Sequence, residues 1–397
     1  MFKRSIKQKI ISYFFKGEVI LLIGARQVGK TSLIESIIHS QKIQDESLLL
    51  NCDYIEDREL LNQEKIESLK TIIGNKKYIF IDEGQKVKNI GNTLKMLVDL
   101  YKTTKQIVVT GSSSVHILHQ TSEPLTGRKN VIHLYPLSIQ EITQTNGKLE
   151  YMRKFEEFLL FGSYPKILNQ NSQNDKIRQL KELVSSNLYR DILEFQLIRN
   201  PSVLTKLLKA LSLQIGSEVS FHELGNTLGI NTRTVEKYVD LLEKSYIIFR
   251  LPPYFTNKRK ELSKMNKIYF YDLGIRNALI NNFNILGNRT DTGALFENYI
   301  ISERLKHRAY NDIYADQYFW RDYNQNEIDL IEEYNGMLHT FEIKLKKKNV
   351  KIPHSFSEVY TSEYKVINKE NILDFFITDE STIKNPPLNE CPHSLHQ

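Results

Sequence analysis

Cysteine is almost missing from the chain: Cys52 and Cys391 are the only two among 397 residues. They lie far apart and offer neither a disulfide framework nor a cysteine metal centre. A reducing compartment is therefore the default, and the expected location is cytoplasmic. With 17 glycines and 10 prolines, the chain has no low-complexity tract, and it contains no internal repeat. Long apolar runs are missing as well. Ile10 to Phe15 is too short to span a bilayer, and Lys16 and Glu18 close it off, so neither a signal peptide nor a membrane partner is expected. What the chain does have is an ordinary globular composition, 41% hydrophobic and 25% charged, with room for two or three domains. Its net charge of +7 at pH 7 permits contact with nucleic acid without demanding it.

The most informative stretch is Gly24-Ala25-Arg26-Gln27-Val28-Gly29-Lys30-Thr31, entered from the apolar run Val19 to Ile23 and followed by the helical pattern from Ser32 to Ile38. Strand, glycine-bracketed loop, Lys-Thr and helix together are the P-loop in its required context. The glycines let backbone N–H groups turn inward around phosphate oxygens, and the helix N-terminus adds its partial positive charge. The residues from Gly24 through Ser32 are thus expected to bind ATP. Lys30 would reach the β- and γ-phosphates, and the Thr31 hydroxyl would sit on Mg²⁺.

Downstream, Ser47 to Asp53 reads as a second buried strand. Tyr78-Ile79-Phe80-Ile81-Asp82-Glu83 is a strand that delivers two carboxylates to the carboxyl edge of a sheet. Asp82 is expected to hold Mg²⁺ and Glu83 to polarise the attacking water. Gln106 to Ser114 is another apolar strand, placing Thr110 or Ser112 as a sensor beside the γ-phosphate; an ordinary helix N-cap is the competing account of the serines. Arg128, in Leu125-Thr126-Gly127-Arg128, is the candidate cation for the γ-phosphate of its own or a neighbouring subunit, the second of which requires a homo-oligomer. A surface pair with Glu123 is the alternative. Strands alternating with helices predict a doubly wound, mainly parallel α/β sheet.

These motifs, with Tyr135-Pro136-Leu137-Ser138 after them, resemble the predicted AAA+ ATPases of bacteria and archaea. The resemblance implies an ATPase coupled to a winged helix and a carboxy-terminal restriction-endonuclease-like domain. It covers nearly the whole chain; the one departure is Gly84-Gln85 after Asp82-Glu83, where relatives often carry an apolar residue and then Gln. The expected division is an ATPase core over 1–145, a helical lid over 146–200, a winged helix over 201–272, a nuclease-like domain over 273–383 and a flexible tail over 384–397.

Within the lid, Arg190 is placed to report on nucleotide, or is ordinary polar surface. In the winged helix, Phe221 to Ile230 and Asn231 to Tyr238 read as helix, turn and helix, with Arg233, Thr234 and Lys237 facing outward into a major groove. The wing connection holds Lys258-Arg259-Lys260, placed to meet phosphates. The competing account is a module used only for packing.

Farther on, Glu297 lies on an amphipathic helix, Asp329 on a strand, and Glu342 and Lys344 on one face of the next, around an Asn335-Gly336 turn. The ordered set is that of the PD-(D/E)xK nuclease superfamily. Glu297, Asp329 and Glu342 would hold Mg²⁺, or Mn²⁺ in its place, while Lys344 stabilises the nucleophile and the developing phosphorane charge. Members of that superfamily often keep the fold without cutting. Lys344 continues into a basic run ending at Lys351, suited to a phosphate backbone or to plain solvation. The preferred reading is an ATP-hydrolysing protein acting on double-stranded or branched DNA without strong sequence specificity. The alternative is an ATP-driven switch whose nuclease-like domain only binds.

Overall fold

The computed structural model describes residues 2–62, 65–112, 114–188, 201–255 and 265–377. Arg190, the Lys258-Arg259-Lys260 connection and the tail from 384 lie outside the described residues. Strands β1 (Val19–Ile23), β2 (Ser47–Asn51), β3 (Tyr78–Asp82), β4 (Gln106–Gly111) and β5 (Lys129–His133) form one parallel sheet in the order β2-β3-β4-β1-β5. The central strands β1 and β4 are buried throughout, which is why they are uniformly apolar. The sequence led us to expect a buried strand from Ser47. Instead β2 is a sheet edge, with Leu49 44% exposed, because only one of its sides is paired.

Helix α1 (Lys30–Gln41) leaves the P-loop at the carboxyl edge of this sheet. Gly24 can be nothing else: a Cβ there would stand 2.0 Å from the Leu134 carbonyl oxygen. Glycine is therefore required at the point where the P-loop passes the chain leaving β5.

Three further helices, α2 (Pro201–Leu213), α3 (Phe221–Leu228) and α4 (Thr232–Lys244), pack with the antiparallel strands β6 (Glu218–Val219), β7 (Ile248–Leu251) and β8 (Asn266–Phe270). Gly229 turns the chain between α3 and α4 in the left-handed region (φ 68°). The last sheet is mixed, in the order β12-β11-β10-β9, from β9 (Asp316–Arg321), β10 (Glu327–Tyr334), β11 (Met337–Ile343) and β12 (Ser362–Ile367). Asn335 and Gly336 are both left-handed (φ 53° and 72°), the geometry that a two-residue hairpin between β10 and β11 requires.

One long helix, α5 (Thr292–Tyr310), joins these parts. The Asn298 side chain accepts from the Phe270 N–H (2.7 Å) and donates to its carbonyl (2.8 Å), clamping the helix to β8. At the other end Glu303 accepts from the Ile139 N–H (2.8 Å), just beyond β5. Lys306 donates to Glu303 (2.7 Å), to the Leu137 carbonyl and to the Ser163 hydroxyl. The Tyr310 hydroxyl accepts from the Tyr135 N–H (3.1 Å). Among the described residues, no helix is long and apolar enough to cross a membrane.

Glu303 and Lys306 are each about 1% exposed, so removing either partner leaves a charge buried alone. We expect Lys306→Met to lower stability by roughly 3 kcal/mol in urea unfolding, and Glu303→Gln in the same chain to recover part of the loss. An unchanged midpoint in the single variant would mean that Lys306 and its contacts to Leu137 and Ser163 do not hold the helix in place.

Candidate functional site

The P-loop closes on itself through backbone geometry. Gln27 (φ 61°) and Gly29 (φ 98°) are left-handed, which turns their neighbouring N–H groups toward the loop's centre. Lys30 is buried and donates to the carbonyls of Gly24 (2.9 Å) and Ala25 (3.0 Å). The Thr31 hydroxyl donates to Asp82 Oδ2 (2.7 Å), and the Thr110 hydroxyl donates to Asp82 Oδ1. Three elements thus converge on one carboxylate: the start of α1, the end of β3 and the end of β4.

Glu83 follows in the left-handed region (φ 53°), an uncommon conformation for a glutamate. Its N–H donates to the Thr110 hydroxyl (3.0 Å). Its carboxylate accepts from Ser112 Oγ (3.0 Å) and Gln85 Nε2 (2.5 Å), and Gln85 also donates to Ser112 (2.9 Å). Of the two sensor candidates, Thr110 faces Asp82 and Ser112 faces Glu83. Gln85 was not singled out from the sequence, although a glutamine two residues after a carboxylate that must be positioned is a signal that was available.

Around these groups lies a cleft of about 710 Å³, whose walls include Arg26, Lys30, Thr31, Glu83, Lys86 and Lys166. Lys166 comes from the segment after Pro165, where the helical pattern of the lid is interrupted. Its place here follows from tertiary packing alone.

Arg128 requires a correction. The Val19 N–H donates to its carbonyl (2.9 Å), which puts it at the amino-terminal edge of the sheet, opposite the P-loop. Its guanidinium pairs with Asp99 (2.9 Å), not with Glu123. A role at the γ-phosphate of its own subunit is excluded by that distance along the strand. Strand direction sends Arg128 to the end of the sheet away from its own subunit's P-loop, and the expectation for a neighbouring subunit concerns a contact outside this single chain.

In α4, Arg233 and Lys237 are exposed. Thr234 is drawn into the cap, its hydroxyl donating to Asn231 Oδ1 (2.9 Å).

The second constellation lies between α5, β8, β10 and β11. Lys344 donates to Glu342 (2.6 Å) and Asp329 (3.2 Å), and the Ile343 N–H donates to Asp329 (2.7 Å). Glu297 accepts from the Tyr269 hydroxyl (2.6 Å) and from Lys267 (3.0 Å). Lys267 also pairs with Glu327, which Arg321 holds from its other side. The fold therefore brings Glu297, Asp329, Glu342 and Lys344 into one centre, but the carboxylates whose oxygens lie within 4.8 Å of one another are Glu297, Glu327 and Asp329, not Glu342. Glu327 was legible as the period-2 neighbour of Asp329 on β10. Lys267 and Tyr269 were not, since they sit on a distant strand.

The donor set does not fit the divalent ion that the sequence led us to expect. Each carboxylate already has a protein cation or an N–H or O–H donor on it. Lys267 is 1% exposed; its burial disfavours the charge, but Glu297 and Glu327 outweigh this and hold its pKa above the usual value. Burial pushes the Glu297 carboxyl upward, against the pull of Lys267.

With this geometry in view, the similarities to known proteins can be stated. Residues 152–285 match a domain of unknown function, DUF8612, and residues 292–382 match another, DUF4143. An uncharacterized protein of Mycobacterium tuberculosis is 24% identical over 344 residues, which span 86% of this chain and 74% of that one. An uncharacterized protein of Methanocaldococcus jannaschii is 29% identical over 290 residues, 68% of this chain and 63% of its own. A crystal structure of a DNA replication initiation factor overlaps 60% of this chain and 86% of its own, at 17% identity and a TM-score of 0.28. Residues 16–143 match the family described as an AAA domain. The match takes in the P-loop and all five strands of the parallel sheet, whose fold is that of a P-loop domain of the AAA type.

Proposed function

We propose that the chain binds and hydrolyses ATP in the cleft at the carboxyl edge of the β1–β5 sheet, and that it acts on DNA through α4 and the carboxy-terminal domain, the latter binding rather than cutting. The observation that carries the ATPase reading is the hydrogen bond from Thr31 to Asp82 (2.7 Å), beside a glutamate held by two neighbours. A P-loop hydroxyl and a strand-end carboxylate in contact are the pair that holds Mg²⁺ in nucleotide hydrolases.

In this reading Gly24 through Ser32 wrap the triphosphate, and Lys30 exchanges its carbonyl partners for the β- and γ-phosphates. Thr31 and Asp82 would hold Mg²⁺, which supplies neutralisation of phosphate charge when bound. Glu83 orients the attacking water and takes up its proton. Ser112 and Gln85 fix the direction of that carboxylate, so they act as positioning residues. Ser112 also lies where loss of the γ-phosphate can be relayed to β4.

DNA contact is supported by the exposed Arg233 and Lys237 and by the exposed lysines 346–348 and 351, which suit phosphates rather than base edges. A second reading, a nucleotide-controlled switch, is favoured by one contact. Arg4 donates to the Val28 carbonyl of the P-loop (2.9 Å) and to the Tyr310 hydroxyl of α5 (3.4 Å), linking nucleotide site to carboxy-terminal domain.

Lys30→Ala is expected to weaken ATP binding roughly 10- to 100-fold, as loss of a charge-assisted contact does. Glu83→Gln should retain ATP but lower turnover by about 10²-fold or more. Fluorescent-nucleotide titration and phosphate release measure the two. ATP retained equally well by Lys30→Ala would remove the reading. For DNA, Arg233→Ala and Lys237→Ala are each expected to reduce the slope of log affinity against log salt by about 1. Fluorescence anisotropy on duplex and branched DNA checks this. No measurable DNA binding, with turnover indifferent to DNA, would leave the switch as the better account.

A further inference from the structure

We propose that the ammonium of Lys267, carried by β8 of the winged-helix region, is a built-in cation for the carboxylate centre of the carboxy-terminal domain, so that this centre takes no divalent metal while Lys267 is in place. The inference stands on geometry independent of the nucleotide site.

Glu297, Glu327 and Asp329 approach one another closely enough to share an ion. The position that such an ion would need is already served from inside the fold. Lys267 reaches Glu297 (3.0 Å) and Glu327 at once, and the face of the Phe319 ring lies 5.3 Å from its nitrogen. Lys344 does the same for Asp329 and Glu342. With Arg321 on Glu327, the carboxylates Glu297, Glu327, Asp329 and Glu342 face three cations of the chain itself. A doubly charged ion entering between Glu297 and Glu327 would have to approach the buried ammonium of Lys267, a like charge already seated on both.

Lys267 is also not free to withdraw. Its strand is fixed to α5 by both hydrogen bonds between Asn298 and Phe270, and Glu297 is the preceding residue on that helix. With the side chain 1% exposed, moving the ammonium out means leaving both carboxylates from within a closed setting. The centre is thus a charge network that welds the winged-helix sheet to the carboxy-terminal sheet. A domain of this kind meets a phosphate backbone through its exposed lysines without activating water on a metal.

The test is Mn²⁺ alone, titrated into the full-length chain without nucleotide and followed by the EPR signal of free Mn²⁺. Wild type and Asp329→Asn, or Glu297→Gln in its place, are expected to bind the same amount. Lys267→Met, which keeps length and removes charge, should gain about one Mn²⁺ per chain with affinity raised roughly tenfold or more, and adding Glu297→Gln should abolish the gain. A wild-type Mn²⁺ site that disappears in Asp329→Asn or Glu297→Gln overturns the proposal, and this comparison decides even where Lys267→Met does not fold. A folded Lys267→Met chain that takes up no more Mn²⁺ than wild type overturns it too. Mn²⁺ held by Thr31 and Asp82 is untouched by all these substitutions, so failure of the ATPase reading leaves the result interpretable.

Discussion

Helix α5 turns Glu297, Asn298, Glu303 and Lys306 toward the interior, and three of these carry charge that water cannot reach freely. Each is tolerable only with a partner. Glu297 needs Lys267 of β8, while Glu303 needs the Ile139 N–H beyond β5 and its own neighbour Lys306. Because Lys267 comes from β8 and the Ile139 N–H from the segment beyond β5, these contacts fix how both parts sit on α5. A hydrophobic interface would tolerate small slips. Directed charge pairs at hydrogen-bond distance do not.

That constraint ties the two functional regions to one framework. The P-loop touches the chain leaving β5 at Gly24, where a carbonyl lies too close for any side chain. Arg4 bridges Val28, Tyr135, Glu141 and Tyr310. Arg4 thereby joins the P-loop backbone to the carboxy-terminal end of α5, and Glu297 lies toward the other end of that helix.

The two centres contrast in how they handle charge. At the nucleotide site Asp82 accepts from two hydroxyls, those of Thr31 and Thr110. Hydroxyls donate to a carboxylate without bringing a charge of their own. At the carboxy-terminal centre the carboxylates meet ammonium and guanidinium groups instead. The same residue types thus support opposite readings, and the partner decides between them.

Much of this was legible in the chain itself. The order of Gly24 to Thr31, Asp82-Glu83, Thr110 and Ser112 set out the nucleotide site, because a P-loop and the strands beside it are local patterns of period and spacing. Glu297, Asp329, Glu342 and Lys344 were also readable as an ordered set. What the chain alone could not reveal lies in contacts between segments far apart in sequence. Arg128 goes to the wrong edge because strand direction, not neighbouring residues, sets which end faces phosphate. Lys166 enters the cleft by packing of the segment after Pro165, and Lys267 reaches Glu297 across 30 positions. Local sequence determined which groups exist and which backbone turns carry them. Only the tertiary structure decided which charges meet, since electrostatic pairing depends on distance in space, and distance in space is set by the whole fold.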